Sequence, residues 1–125
     1  MSKEKNLKLK INSFENILNS INAYVFAKDL QGRYTYVNEK VLEVFGKRYE
    51  EVIGKDDSHF FNLQLSDQLH QNDQKVMREN VAIEKEEVNF IRAIGEERIY
   101  HTVKKPLLDD EGNVVGLCGI SSDIT

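Results

Sequence analysis

The sequence predicts an α+β domain: a five-stranded antiparallel sheet with helices on one face, preceded by an N-terminal amphipathic helix. Three observations predict it. A heptad-like apolar stripe opens the chain. Runs with period-two alternation flank a central helical stretch. Short connections carrying turn residues join these segments. The 125 residues suffice for one domain with its own core, and 40% hydrophobic against 30% charged residues is globular composition.

The elements follow in order. Residues 1–21 read as a helix, because Leu7, Ile11, Phe14, Leu18 and Ile21 are spaced by four, three, four and three. That face either packs on the domain's own core or meets a second chain. Ala23, Val25 and Ala27 then alternate with Tyr24, Phe26 and Lys28, the period of a strand. Asp29-Leu30-Gln31-Gly32 is a turn, and residues 33–37 return as the second arm of a hairpin. Asn38 caps a short helix carrying Val41, Leu42 and Phe45, which Gly46 ends. Residues 49–53 make one further turn, and residues 55–61 are irregular. Ser66 opens a longer helix that stops at Asn80. Residues 84–92, 98–105 and 114–122 read as three strands, with Pro106 limiting pairing of the middle one. No linker interrupts residues 22–125, which form the main domain behind the 1–21 helix.

Composition excludes several classes of function. The formal net charge of −4 with scattered charges offers no basic face to nucleic acid. No apolar run approaches the ~20 residues of a bilayer span, and the N-terminus has no signal-peptide core, so this segment makes no membrane contact. The single cysteine, Cys118, cannot form an intrachain disulfide, which fits a reducing cytoplasm.

Several local patterns resemble those of PAS domains in bacterial sensory proteins. The run from Lys28 to Asn38 resembles the family's first hairpin and the Asn that follows it. Val52-Ile53-Gly54-Lys55 resembles the segment after the short helix, and Asn72-Asp73-Gln74-Lys75-Val76 the middle of the long helix. Pro106 through Gly116 resembles the last hairpin, and Asp123-Ile124-Thr125 is the tripeptide that often closes these domains. The resemblance covers residues 21–125. It implies a sheet roofed by helices over a small cavity. It also implies a regulatory role in a longer chain, whose effector would be a diguanylate cyclase or a histidine kinase.

The residues themselves carry no catalytic constellation. The glycines form no phosphate cradle, and His59, His70 and His101 share no ligand spacing with each other or with Cys118. The domain is therefore read as non-catalytic and metal-free. The cofactor stays unknown, with two groups disfavoured. A flavin adduct needs a cysteine in a helical Asn-Cys-Arg-like motif, whereas Cys118 falls in a strand. In heme-binding relatives the position of the proximal histidine corresponds to Asn72 here. His70 lies two residues away, turned by roughly 200° on the helix.

The candidate cavity lining is apolar: Val25, Ala27, Tyr36, Val41, Phe45 and Phe61, then Leu69, Val76, Val88, Val103, Cys118 and Ile120, with His101 as a polar contact. Asn72 and Asp73 are candidates for a polar structural role or for the cavity mouth. Asp73 interrupts the apolar face that Leu69 and Val76 define, so it needs a partner. Asp123, Ile124 and Thr125 are the expected signal output, with Asp123 either paired to a nearby base such as Lys28 or Arg33 or capping the next helix. The functional expectation is an input domain that binds a small ligand or a partner. The alternative is a ligand-free spacer that dimerises through Leu7, Ile11, Phe14, Leu18 and Ile21.

Overall fold

The computed structural model describes residues 2–125. Helix α1 spans Lys3–Ser20, and Ser2 caps it by accepting from the Lys5 amide. Strands β1 (Tyr24–Asp29) and β2 (Tyr34–Val37) form the first hairpin. Helices α2 (Glu39–Phe45) and α3 (Tyr49–Val52) follow, then a 3-10 turn at Asp57–His59, strand β3 (Phe61–Asn62) and a second 3-10 turn at Leu63–Leu65. Helix α4 spans Asp67–Glu79, and strands β4 (Ile83–Ile91), β5 (Glu96–Leu108) and β6 (Val114–Asp123) complete the chain.

The strands form one antiparallel sheet in the order β2-β1-β6-β5-β4-β3. It has six strands rather than the expected five. The extra one, β3, is two residues long and pairs Phe61 with Ile91 and Asn62 with Phe90. Two residues are too few to show a period, so the stretch read as irregular. A second correction concerns Pro106. Strand β5 continues through it to Leu108, because pairing with β4 ends at Lys104 and only β6 lies alongside beyond that point. There the proline sits on an edge, where a missing N–H is tolerated.

Asn38 shows how a single side chain fixes the corner between sheet and helix. Its Oδ1 accepts from Val41 N as the α2 cap and from Val25 N at 3.1 Å. Its Nδ2 donates to Ala23 O and Leu18 O. The helix ends at Gly46, where φ is +65°, a conformation that glycine adopts without the steric penalty of a Cβ.

Two apolar clusters hold the helices to one face of the sheet. The larger joins Tyr34, Val41, Phe45, Phe60, Phe61 and Leu69 with Ile91 and Tyr100. Phe45 stacks on Phe60 with ring centroids 4.4 Å apart. The smaller joins Val76, Met77, Ile83 and Leu117. Helix α1 stands apart: none of its residues is buried. Its C-terminal end is tied down through Leu18 O and through Asn19 Oδ1, which accepts from Glu39 N.

Candidate functional site

Alternation along the strands decides what faces the helices. Strand β1 turns Tyr24, Phe26 and Lys28 inward, β5 turns Tyr100, Thr102 and Lys104 inward, and β4 turns Glu87, Asn89 and Ile91 inward. The facing β6 positions are Leu117, Gly119 and Ser121. Gly119 lies opposite Phe26, and a Cβ there would come within 2.4 Å of the Phe26 ring. Glycine therefore leaves the space that the aromatic ring occupies.

Charge lies at the centre of this covered face. The Lys28 ammonium donates to Asp57 and, at 2.7 Å, to Asp73 Oδ2. The Lys104 ammonium lies 2.7 Å from Asp73 Oδ1 and 2.7 Å from Glu87 Oε2. Asn72 donates to the same Glu87 oxygen at 2.8 Å, and the Tyr34 hydroxyl donates to Asp57. Lys28, Lys104, Asp73 and Glu87 are each at most 4% exposed. On α4 the polar pair Asn72-Asp73 separates Leu69 from Val76, and on β4 Glu87 and Asn89 separate Ile83 from Ile91. The ionic cluster thus lies between the two apolar clusters.

The electrostatics follow from burial and neighbours. Burial alone would lower the Lys28 ammonium, but Asp57 and Asp73 outweigh it and raise Lys28 above its usual value. Burial pushes Asp73 up, yet Lys28 and Lys104 on either side hold it below the usual carboxylate range. Asp57 goes the other way: burial, with Asp73 nearby, raises it despite Lys28. Burial and the adjacent Asp57 push the Tyr34 phenol well up. Three carboxylates face two ammonium groups. Such a cluster is weak evidence of net stability, but removing one member strands a buried charge.

A cavity of about 50 Å³ opens beside the cluster. Its walls are aromatic from Tyr24, Phe26 and Tyr34 on the first hairpin, Phe45 and Phe61 on the roof and Tyr100 on β5, and aliphatic from Val41, Val44, Leu69 and Ile91. Polar atoms enter from Lys28, Glu87, Asn89, Lys104 and Ser121. A cavity of this size holds a few waters, at roughly 10–15 Å³ each. The Asn89 side chain donates from Nδ2 to Glu87 Oε1 at 3.4 Å, while its Oδ1 is buried without a hydrogen-bond partner.

The structure brings some of the sequence-predicted residues together here and disperses others. Val41, Phe45, Phe61 and Leu69 line the cavity. Val76 is fully buried in the smaller apolar cluster. Asn72 and Asp73 are buried members of the ionic cluster. The strand residues Val25, Ala27, Tyr36, Val88, His101, Val103, Cys118 and Ile120 do not line the cavity. They belong to the opposite alternation phase, with Val25 paired to Ile120 and Ala27 to Cys118 across β1 and β6. Val88 is 40% and Ile120 44% exposed. Tyr36 packs edge-to-face on Tyr49, and His101 lies 2.9 Å from Glu84. Burial raises the Cys118 thiol above its usual value, which disfavours the reactive thiolate. His70 is exposed on α4.

Asp123 needs a further correction. It pairs with neither Lys28, which the buried cluster holds, nor Arg33, which binds Asp29. It accepts instead from Arg98 Nη1 at 2.9 Å and from the Thr125 amide. The Ile99 amide donates to Thr125 Oγ1, and the Ile124 amide donates to Ile99 O, so the last residues clasp the start of β5. Tyr100 pairs with Asp123 across the ladder.

Comparison with known proteins agrees with this architecture. The description "PAS fold" matches residues 18–125. A diguanylate cyclase of Vibrio cholerae is 40% identical over 113 residues, covering 89% of this chain and 35% of that protein. The methanogenesis regulatory histidine kinase FilI of Methanothrix harundinacea is 31% identical over 112 residues, covering 90% of this chain and 12% of that protein. The chain thus spans about a third and about an eighth of the lengths of these two relatives. The PAS domain of a Colwellia psychrerythraea protein superposes with a TM-score of 0.76 at 16% identity, covering 92% of this chain and 97% of that one. With the roofed antiparallel sheet and the match across residues 18–125, the chain belongs to the PAS-fold family.

Proposed function

We propose that this domain is a sensory input module that passes occupancy of its cavity to an effector following residue 125. One observation carries the reading. The cavity wall and the C-terminal clasp are built from adjacent residues of the same two strands. Tyr100 and Ser121 line the cavity, and Arg98, Ile99 and Asp123 hold the clasp beside them. A ligand that displaces Tyr100 or Ser121 therefore perturbs Asp123-Ile124-Thr125 through one or two residues of backbone. Transmission requires different affinities for two arrangements of the domain. The relatives support an effector of the diguanylate cyclase or histidine kinase type. The PAS domain itself is the regulatory part and performs no chemistry. Native mass spectrometry of the protein purified from its own host tests the reading: a small-molecule adduct is expected, and a cavity-filling Leu69→Phe variant that keeps its fold should lose it. Empty protein from every preparation would contradict it.

The second reading, a dimerisation and spacing module, is favoured by α1. Leu7, Ile11 and Phe14 are 48–59% exposed, Ile21 is 36% exposed, and Leu18 is half-buried. Ile17 adds a further exposed apolar side chain at 58%. Two copies of this helix would cover the stripe. Sedimentation of the wild type as a dimer, and of Phe14→Glu as a monomer, is the expected result. A wild-type monomer at all concentrations would exclude it. The two readings are compatible.

A further inference from the structure

We infer that the cavity is built for a single-ring aromatic molecule that donates a hydrogen bond to Asn89 Oδ1; this rests on the sensory reading above. Three features of the site point to that chemistry. Six of the lining side chains are aromatic, so a flat ring meets edges and faces as well as the branched Val41, Val44, Leu69 and Ile91. Asn89 is 4% exposed and presents a carbonyl oxygen with no partner. A buried acceptor left unmade costs free energy, and a ligand or ordered water that donates to it recovers that cost. The side-chain orientation is fixed by Glu87. The amide nitrogen must face Oε1, because exchanging oxygen and nitrogen would set the Asn89 oxygen against a carboxylate.

The neighbouring polar atoms reinforce the preference for a donor. Glu87 Oε1 receives only the 3.4 Å contact from Asn89, so a second acceptor with spare capacity lies beside the first. The lysines present less capacity, since each ammonium already contacts two carboxylates. A ring with no donor would cover Asn89 Oδ1 and shut out the water that could otherwise satisfy it.

Size completes the argument. At about 50 Å³ the cavity is well below the roughly 150 Å³ that accommodates benzene in an apolar protein interior. A ring therefore enters only when the roof yields. The roof is assembled from short pieces: Phe45 ends the seven-residue α2, and Phe61 lies on the two-residue β3. Occupancy and widening are then one event, which supplies the difference in affinity that a signal requires.

The test uses two donor rings, aniline and phenol, and two rings without a donor, toluene and fluorobenzene. Each is titrated into the 125-residue protein and followed by amide chemical shifts. Aniline and phenol should bind about tenfold tighter than the other two, and in Asn89→Leu the difference should shrink to about twofold or less. Equal affinities for all four rings in the wild type would overturn the inference and leave the sensory reading standing. So would a donor preference that survives Asn89→Leu. If Asn89→Leu does not fold, the wild-type comparison alone decides. A Leu69→Ala variant enlarges the cavity from its apolar side while retaining Asn89, and the same donor preference is expected there. If no ring binds either the wild type or Leu69→Ala, this inference fails, and the sensory reading is then decided by the native mass spectrometry above.

Discussion

The two faces of the sheet are built against the usual expectation. The face covered by helices carries Lys28, Lys104, Glu87 and Asn89, which meet Asp57, Asn72 and Asp73 from the roof, while the open face carries Val88, Ile99 and Ile120 with 36–44% exposure. In an ordinary half-buried sheet the apolar residues face the core and the polar ones face water. Here the buried lysines of the covered face are held in ion pairs, and the open face is left with exposed apolar side chains. The covered face frames the cavity, and the open face, like α1, leaves apolar side chains exposed.

Removing one buried charge should separate the faces most sharply. Lys28→Met leaves Asp57 without an ammonium partner and Asp73 with Lys104 alone, and the expected loss is about 3–5 kcal/mol by urea denaturation. A loss below about 1 kcal/mol would mean the cluster is solvated. Part of the loss should return when Asp73→Asn is added, because the two sites are directly coupled.

The next effect is a divergence in pH dependence. Asp73 has a lowered folded value, so its stabilisation is complete above the unfolded value near 3.8 and is lost as pH falls through the folded one. Asp57 is raised, so its favourable contribution appears on acidification and is lost as pH rises through its folded value. Lys28, Tyr34, Lys104 and Glu87 surround the two carboxyls from the other elements. Between pH 7 and 3, Asp73→Asn should flatten the loss of stability and Asp57→Asn should steepen it. Changes of the same sign in both variants would refute the assignment.

Two smaller effects sharpen the contrast. Gly119→Ala forces the Phe26 ring toward the cavity, with an expected cost of about 1–3 kcal/mol and weaker binding of any ring. Ile120→Thr, the next residue along β6 but on the open face, should change monomer stability by no more than about 0.5 kcal/mol. Equal costs at the two positions would erase the distinction between the faces.

The strands, the long helix and the capping residues were legible in the sequence because each depends on local pattern. Asn38, Gly46 and Asn80 occupy the caps that their side chains or left-handed backbone suit. The facing of the strands was not legible from hydrophobicity. Val25, Ala27, Val103 and Ile120 are apolar, and that placed them inside, whereas the inward phase carries charge. The missed signal was present in other residues. Tyr24 and Phe26 share their phase with Lys28, and Tyr100 shares its phase with Lys104. Asp73 on the apolar face of α4 required a cationic partner, and those two lysines supply it. The partner of Asp123 was unreadable for a different reason: only the β5–β6 register brings Arg98 to it.

The central claim is that the cavity and the end of β6 move together. Hydrogen exchange of the β6 amides and of Ile124 just beyond them, measured with and without saturating aniline, tests it most directly. Slower exchange at Gly119, Ser121 and Ile124 on binding is the result predicted. Protection confined to α2 and α4, with β6 unchanged, would contradict the account.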